Sequence, residues 1–380
     1  MVDTRENVAV LVGNGLSIAF NPELSLQRIT EEVLSRIQAA EGDDVVSAMQ
    51  AIAEQALPCG VTSANDFELL VGAFGAEART LGILSTLAEL TRATDQDLLQ
   101  SIKSVVSFAE QVRDNGVSYV LEVIAERSHC YLDQAEDLHR LIGAITGSFA
   151  GQVTFGNLNY DTLLLAALLT VCKADIADLG HGYQRVAVQV DGKCLKVPAL
   201  RTKMSDFPQG KRVQLLHLHG SLTYWASRDT KVHAKLPKEL VEKSGQWKAV
   251  RERTTDVRPV VVLASQRDKA EHVGRFPFTL AYEMFSHGLA RSNHWIVIGY
   301  SFRDDPVNAR LREEFIGRAV KPKVLVVTYG EDPSRQTVER AFGWGAEDGS
   351  SNDWLTINRG GANGFDRSSD WKTFVAAGRP

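Results

Sequence analysis

The sequence predicts a doubly wound α/β fold: one parallel sheet with helices on both faces, interrupted early by a large helical insertion. Three observations predict it. Short β-branched apolar runs alternate with helical patterns from about residue 150 to residue 340, the arrangement that builds parallel strands and their crossovers. An almost purely helical block, residues 25–149, follows the first strand. Turns rich in Gly, Asn, His and Asp close four of the strands, on the edge where open α/β sheets bind ligands.

The elements follow in order. Val8 to Val12 is a short apolar run that stops at Gly13 and reads as a buried strand. Leu26, Ile29, Val33 and Ile37 then fall at helical spacing, and helical stretches continue around 45–57, 66–92, 95–113, 116–127 and 133–149. Pro58 and Asn115-Gly116 are the expected breaks between them. Gln152 to Phe155 and Val213 to Leu218 read as strands, with a helix from about Asp161 to Val171 between. Val260 to Ala264, Trp295 to Ile298 and Val324 to Thr328 have the character of buried parallel strands, and helices are expected at 276–291, 304–318 and 333–342. Residues 175–212 and 222–258 are polar and mixed, and read as long excursions with short hairpins.

This divides the chain into a sheet domain, 1–24 with 150–380, and a helical insertion subdomain, 25–149. The apolar faces of the insertion must be buried somewhere. A covering layer over the Gly13 turn is one place, a neighbouring subunit another. The runs at 66–92 and 116–127 hold more apolar residues than one covering layer needs. A homo-oligomer with the block at its interface is therefore expected, with Leu70 and Phe74 on the contact face.

Composition narrows the class. With 380 residues, 44% of them apolar, the chain has ample material for a core. A net charge of −5 predicts no broad attraction to membranes, and direct nucleic-acid binding is not expected. Val8 to Val12 is too short for a signal segment, and no apolar stretch approaches the roughly 20 residues a membrane helix needs. The expected location is the cytoplasm. Cys59, Cys130, Cys172 and Cys194 are scattered, with no C-x-x-C pair, so a structural zinc is not expected and buried free thiols are the simpler reading.

Four strand ends carry the chemistry. Gly13-Asn14-Gly15-Leu16-Ser17 follows the first strand, where glycines let the backbone turn sharply and approach a phosphate. A dehydrogenase fingerprint needs a third glycine where Ile18 stands, and an acidic residue ending a second strand, whereas Glu31 and Glu32 fall within a helical pattern. A lone G-x-G suits a plain tight turn equally well. Asn157-Leu158-Asn159-Tyr160-Asp161 ends the second run, and Asp161 is as good a helix cap as a catalytic group. His217-Leu218-His219-Gly220 ends the third; His219, at the tip, is suited to accept a proton near neutral pH, with His217 as structural support. Without a neighbouring carboxylate or Cys ligand the pair is weak as a metal site. Gly299-Tyr300-Ser301 ends the fourth, where a small hydroxyl suits a ribose or phosphate, and Asp304 or Asp305 can cap the next helix.

In this order, the four segments resemble the nucleotide-binding signature of the sirtuin-like (silent information regulator) superfamily. Gly13-x-Gly15-x-Ser17 resembles its Gly-Ala-Gly-x-Ser, with Asn14 in place of alanine. Asn159-Tyr160-Asp161 resembles the Asn-Ile-Asp of its Thr-Gln-Asn-Ile-Asp, with Leu158 in place of glutamine. His219-Gly220 resembles its active-site His-Gly. Gly299-Tyr300-Ser301 resembles its Gly-Thr-Ser, in the Gly-Tyr-Ser form with a downstream aspartate found among bacterial members. The resemblance covers about residues 8–20 and 150–330. No cysteine follows Cys194, so the zinc ribbon of the deacylases is missing, as is their Pro-Asp-Phe-Arg loop after Phe20.

That pattern is similar to the anti-phage defence branch, whose members hydrolyse NAD, some alone and some with Argonaute-like or HerA-type ATPase partners. The resemblance implies a Rossmann-like domain with NAD as substrate and no metal. It places Asn159 at the water or the ribose hydroxyl, His219 as base or partner of the ribose diol, and Asp161 at the carboxamide or as negative field. Gly13, Asn14, Gly15 and Ser17 would lie at the pyrophosphate; Gly299, Ser301 and Asp304 would hold the adenosine half. An NAD-dependent deacylase, and a non-catalytic NAD- or ADP-ribose-binding subunit of a defence complex, are the alternatives.

Overall fold

The computed structural model describes residues 6–56, 66–68, 70–72, 82–83, 86–87, 96–128, 134–190, 193–228, 231–263 and 266–377. The strands are β1 (Val8–Val12), β2 (Val153–Asn157), β3 (Ile176–Asp178), β4 (Arg185–Val190), β5 (Lys193–Pro198) and β6 (Val213–His217). β7 (Gly220–Ser227), β8 (His233–Lys235), β9 (Val257–Val261), β10 (His294–Ile298), β11 (Lys323–Val327) and β12 (Leu355–Asn358) follow. Among the helices, α1 (Asn14–Phe20), α2 (Leu26–Glu41), α3 (Asp43–Ala56), α4 (Gln96–Arg127) and α5 (Ala135–Ser148) precede the second strand. After it come α6 (Leu163–Cys172), α7 (Lys238–Val241), α8 (Ser244–Arg251), α9 (Gln266–Val273), α10 (Phe278–Arg291), α11 (Asp305–Ile316), α12 (Arg335–Ala341) and α13 (Ser369–Ala376).

Seven strands form one parallel sheet in the order β12-β11-β10-β1-β2-β6-β3. The winding direction reverses between β1 and β10, which makes that gap the natural ligand crevice of a Rossmann-like sheet. Alternation along each strand feeds two cores. Val8, Val10 and Val12 face a core with Leu16 and Phe20 of α1, Val33 of α2, Leu121 and Ile124 of α4, Leu141 of α5 and Leu168 of α6. Ala9 and Leu11 face the other, with Phe285 of α10, Leu311 and Phe315 of α11 and Val338 of α12. The described helices of the insertion thus share the buried core of one sheet face.

Several expectations are corrected. The run at Val260 is not a strand of the main sheet. β9 pairs antiparallel with β7 at the edge of a three-stranded sheet, order β8-β7-β9. It is only partly buried and contains Pro259, which fits an edge and not a central parallel strand. Residues 222–258 are more ordered than their polar composition suggests: β7 is buried along its whole length, and Trp225 packs on Trp247 with ring centroids 5.2 Å apart. The expected hairpin in 175–212 is β4–β5. Asn115-Gly116 does not break a helix, because α4 runs through it. A Cβ on Gly116 would lie 3.0 Å from a Val71 methyl, so the glycine permits close packing.

Leu70 is fully buried in the chain's own core, which removes it from any outer contact face; Phe74 and most of the expected helix at 66–92 lie outside the described residues. Cys172 and Cys194 are free thiols, but Cys172 is half-buried and Cys194 exposed. Cys59 and Cys130 lie outside the described residues. Among the described residues no helix is long and apolar enough to cross a membrane.

Candidate functional site

Register brings the four turns together. Val12 pairs with Asn157 on one side and Ile298 on the other, and Asn157 pairs with His217. The turns after β10, β1, β2 and β6 therefore stand side by side on the carboxyl edge of four adjacent strands.

The first contact between them is backbone on backbone. The Gly13 and Gly15 amides donate to the Ile298 and Gly299 carbonyls, each at 2.9 Å. A Cβ on Gly15 would lie 2.6 Å from Gly299 Cα, and one on Gly299 would lie 2.4 Å from the Leu16 nitrogen. Gly299 also has φ +64°, and the next turn residue but two, Phe302, has φ +58°. These glycines are thus explained by the meeting of two strand ends, and the two amides are already engaged.

Beneath them lies a buried polar network. Asn159 Nδ2 donates to Gly13 O at 3.1 Å and to Ser17 Oγ at 2.9 Å. Ser17 Oγ donates to Asp161 Oδ2 at 2.6 Å, while Asp161 Oδ1 accepts from the Leu163 amide at 2.9 Å. Asp161 therefore holds the first amide of α6 with one oxygen and faces the site with the other. Burial pushes its carboxyl above the usual range, against the pull of the Ser17 hydrogen bond. Asn157, given no role of its own in the sequence expectation, holds this loop: its side chain accepts from the Asn159 amide and lies 3.3 Å from His217 Nδ1. His217 is buried edge-on to Tyr224, a supporting place.

β6 stops at His217, so His219 sits in the turn, followed by Gly220 at φ +88°. A Cβ on Gly220 would lie 2.2 Å from Val260 O, so no other residue fits between this turn and β9. His219 is 3% exposed. Its Nε2 lies 3.4 Å from Asp304 Oδ2, within ion-pair range but off the line of a hydrogen bond. Burial, then the nearby Lys269, pushes the imidazole down to about 4, so it is neutral at pH 7.

Asp304 caps α11 through Oδ1, 3.2 Å from the Val307 amide, and turns Oδ2 to the site. There it accepts from Lys269 Nζ at 2.9 Å. Lys269 also donates to Glu68 Oε2 at 3.0 Å, and the Tyr160 hydroxyl reaches Glu68 Oε1 at 2.8 Å and Val262 O at 2.7 Å. Burial alone would raise both carboxyls, but Lys269 and His219 hold them below the ordinary range. With His219 neutral, Lys269 is the operative cation at pH 7. The two carboxylates hold the ammonium well above its usual value in spite of burial.

Two cavities divide the site. A cleft of about 720 Å³ opens over β1, β10, β11 and β12, lined among others by Gly15, Gly299, Ser301, Arg303, Tyr329 and Asn363. That is the size of a small-molecule site. Asn14, Asn159 and Asp161 line a separate space of about 50 Å³, closed by Leu26, Phe67, Glu68 and Ile124, room for a few waters. The structure thus brings Gly15, Gly299 and Ser301 to the cleft, and Asn14, Asn159 and Asp161 to the small cavity with Ser17 hydrogen-bonded behind them. Asp304 stands beside His219 and is not among the cleft's lining residues.

Glu68 and Lys269 were not anticipated. They lie 201 positions apart, and each looks in sequence like an ordinary surface charge. Compared with known proteins, the chain matches no protein-family model and no curated protein. Fold and site define a Rossmann-like α/β protein with a cleft of small-molecule size beside its switch point.

Proposed function

We propose that the protein is a sirtuin-like NAD glycohydrolase, cleaving NAD to nicotinamide and ADP-ribose, and that it serves as an NAD-depleting effector of anti-phage defence. The observation that carries the reading is the convergence, on adjacent strand ends, of an open nucleotide-sized cleft with a buried Asn159–Ser17–Asp161 network and a neutral His219. The cleft has the volume for the adenosine half of a dinucleotide, and the buried groups stand on neighbouring strand ends of the same sheet edge.

The chemistry asked of these residues is modest. The bond between the ribose C1′ and the pyridinium nitrogen breaks, its electron pair leaving with nicotinamide, which departs neutral. The leaving group is already cationic, so no general acid is needed. The transition state is oxocarbenium-like, as in glycoside hydrolysis. Water then adds at C1′ and gives up a proton. Asn159 would position the water or a ribose hydroxyl. A neutral His219 is in the right state to accept a proton or a diol hydrogen bond. Asp161 and Asp304 would supply negative field as positive charge spreads over the ribose.

The test is NAD added alone to the purified protein, with nicotinamide measured by chromatography, with and without the product of a neighbouring gene such as an HerA-type ATPase. Release without any acylated peptide supports hydrolysis. Release only with an acyl-lysine peptide would transfer the reading to a deacylase, and NAD binding with no release to a non-catalytic subunit. Homo-oligomer formation belongs to the same proposal and is read by light scattering.

A further inference from the structure

We propose that Lys269 is an internal stand-in for the positive charge of the substrate, held over the Asp304 carboxylate by Glu68, so that docking of the helical insertion and admission of a cationic ligand exclude one another. This rests on the reading of the site as one that takes NAD.

The first ground is charge. Glu68 and Asp304 bring two carboxylates, Lys269 brings one ammonium, and His219 is neutral at pH 7. The cluster holds one uncompensated negative charge in a place where Lys269 and Asp304 are about 5% exposed. Buried charge is costly unless compensated, and a pyridinium beside Asp304 would compensate it. Lys269 meanwhile occupies the one Asp304 oxygen that faces His219.

The second ground is space. The cavity beside Asn159 and Asp161 holds about 50 Å³, and Phe67, Glu68 and Ile124 of the insertion form part of its wall. A pyridinium ring needs more than a few waters' room, so those residues must move. When Glu68 moves, Lys269 loses one of its two partners. Its long side chain can then follow Glu68 and leave Asp304 to the incoming cation. The Tyr160 hydroxyl, touching both Glu68 and Val262 O, ties this junction to the loop that carries Asn159 and Asp161.

The experiment compares affinity for NAD and for NADH, which lacks the positive charge on the nicotinamide ring, by rapid-mixing titration completed before turnover, in the parent, Glu68→Gln and Lys269→Met. Lys269→Met, which frees Asp304 for the incoming cation, is expected to raise the NAD-over-NADH preference about tenfold; Glu68→Gln, which removes the surplus negative charge and leaves Lys269 no partner but Asp304, is expected to lower it by a similar factor. A merely structural role would move both affinities together. Lys269→Met leaves Asp304 unpaired and risks misfolding. Glu68, whose side chain is a quarter exposed, is the safer site. An unchanged or raised preference in folded Glu68→Gln overturns the proposal. If parent and variants bind neither dinucleotide, the NAD reading fails. Backbone hydrogen exchange over residues 266–273 then decides the latch: faster exchange in Glu68→Gln supports it and unchanged exchange overturns it.

Discussion

The carboxyl edge of the sheet is built in two ways within one molecule. Over β10, β11 and β12 it is glycine turns and exposed polar side chains around a cleft of about 720 Å³. Over β2 and β6 the same edge is packed under the helical insertion, leaving about 50 Å³ and a set of buried ionisable groups. The open part depends on close backbone contact, the closed part on ion pairs between largely buried side chains. Substitutions in the two should therefore fail differently: loss of ligand affinity on one side, loss of chemistry and pH tolerance on the other.

The largest effect is expected in the closed part. His219→Ala should lower nicotinamide release by on the order of 10²–10⁴, the range for removing a general acid–base group. Asn159→Ala should be comparable. It also deletes two buried hydrogen bonds, to Gly13 O and Ser17 Oγ, at about 1–3 kcal/mol of stability. Both are read as single-turnover rates on protein whose fold is verified by circular dichroism. Two folded variants that hydrolyse NAD at the parent rate would remove these residues from the mechanism.

Next is the response to acid. His217 and His219 are each held down to about 4 by burial, from an ordinary value of 6.5. The unfolded chain then binds more protons than the folded one between those values. Stability is full above pH 6.5 and falls as the pH drops through the window, by up to about 3 kcal/mol for each histidine. Urea unfolding at pH 7, 5.5 and 4.5 reads this directly. His219→Gln should flatten part of the slope. A parent equally stable at pH 7 and 4.5 would mean that these imidazoles are not buried neutral.

A smaller loss is expected where the two parts join. Gly299→Ala places a methyl at φ +64° and 2.4 Å from the Leu16 nitrogen, which should cost about 1–3 kcal/mol and appear as a lower melting temperature. An unshifted melting temperature would show that the Gly13 turn can back away from β10, and that the contact does not define the cleft.

The same division explains what could be read without a structure. Turns at the ends of apolar runs are local features, so the positions of Gly13, Asn159, His219 and Gly299 at strand ends were legible from a few residues each. Their adjacency follows from parallel topology, in which strand ends share an edge. The Glu68–Lys269–Asp304 chain joins three distant segments through single charges, and no spacing announces it. The double use of Asp161 and Asp304, one oxygen to a helix and one to the site, makes capping and function compatible where sequence offered them as rivals. Strands β3 and β12, of three and four residues, are too short to show a period. In β9, Pro259 was the signal for an edge, outweighed by the β-branched run after it.

The smallest change in stability, and the sharpest probe of the open part, is expected at Tyr329. Its ring is 86% exposed, yet it stands at the cleft beside Gly361, whose Cβ position lies 3.3 Å from the ring carbon Cδ2. A large aromatic so little covered contributes little to folding, and Tyr329→Ala should shift stability by no more than about 0.5 kcal/mol. A flat ring beside a nucleotide-sized cleft is a surface on which a base can stack, an interaction of roughly 1–3 kcal/mol. ADP-ribose affinity should therefore fall about tenfold, which is ~1.4 kcal/mol, with single-turnover chemistry at saturating NAD unchanged. Titration calorimetry with ADP-ribose separates the outcomes. Unchanged affinity would place the base elsewhere in the cleft, and a large stability loss would show that the ring is structural after all. Loss of affinity alone, set beside loss of rate alone in His219→Ala, would establish that the two parts of this edge can be altered independently.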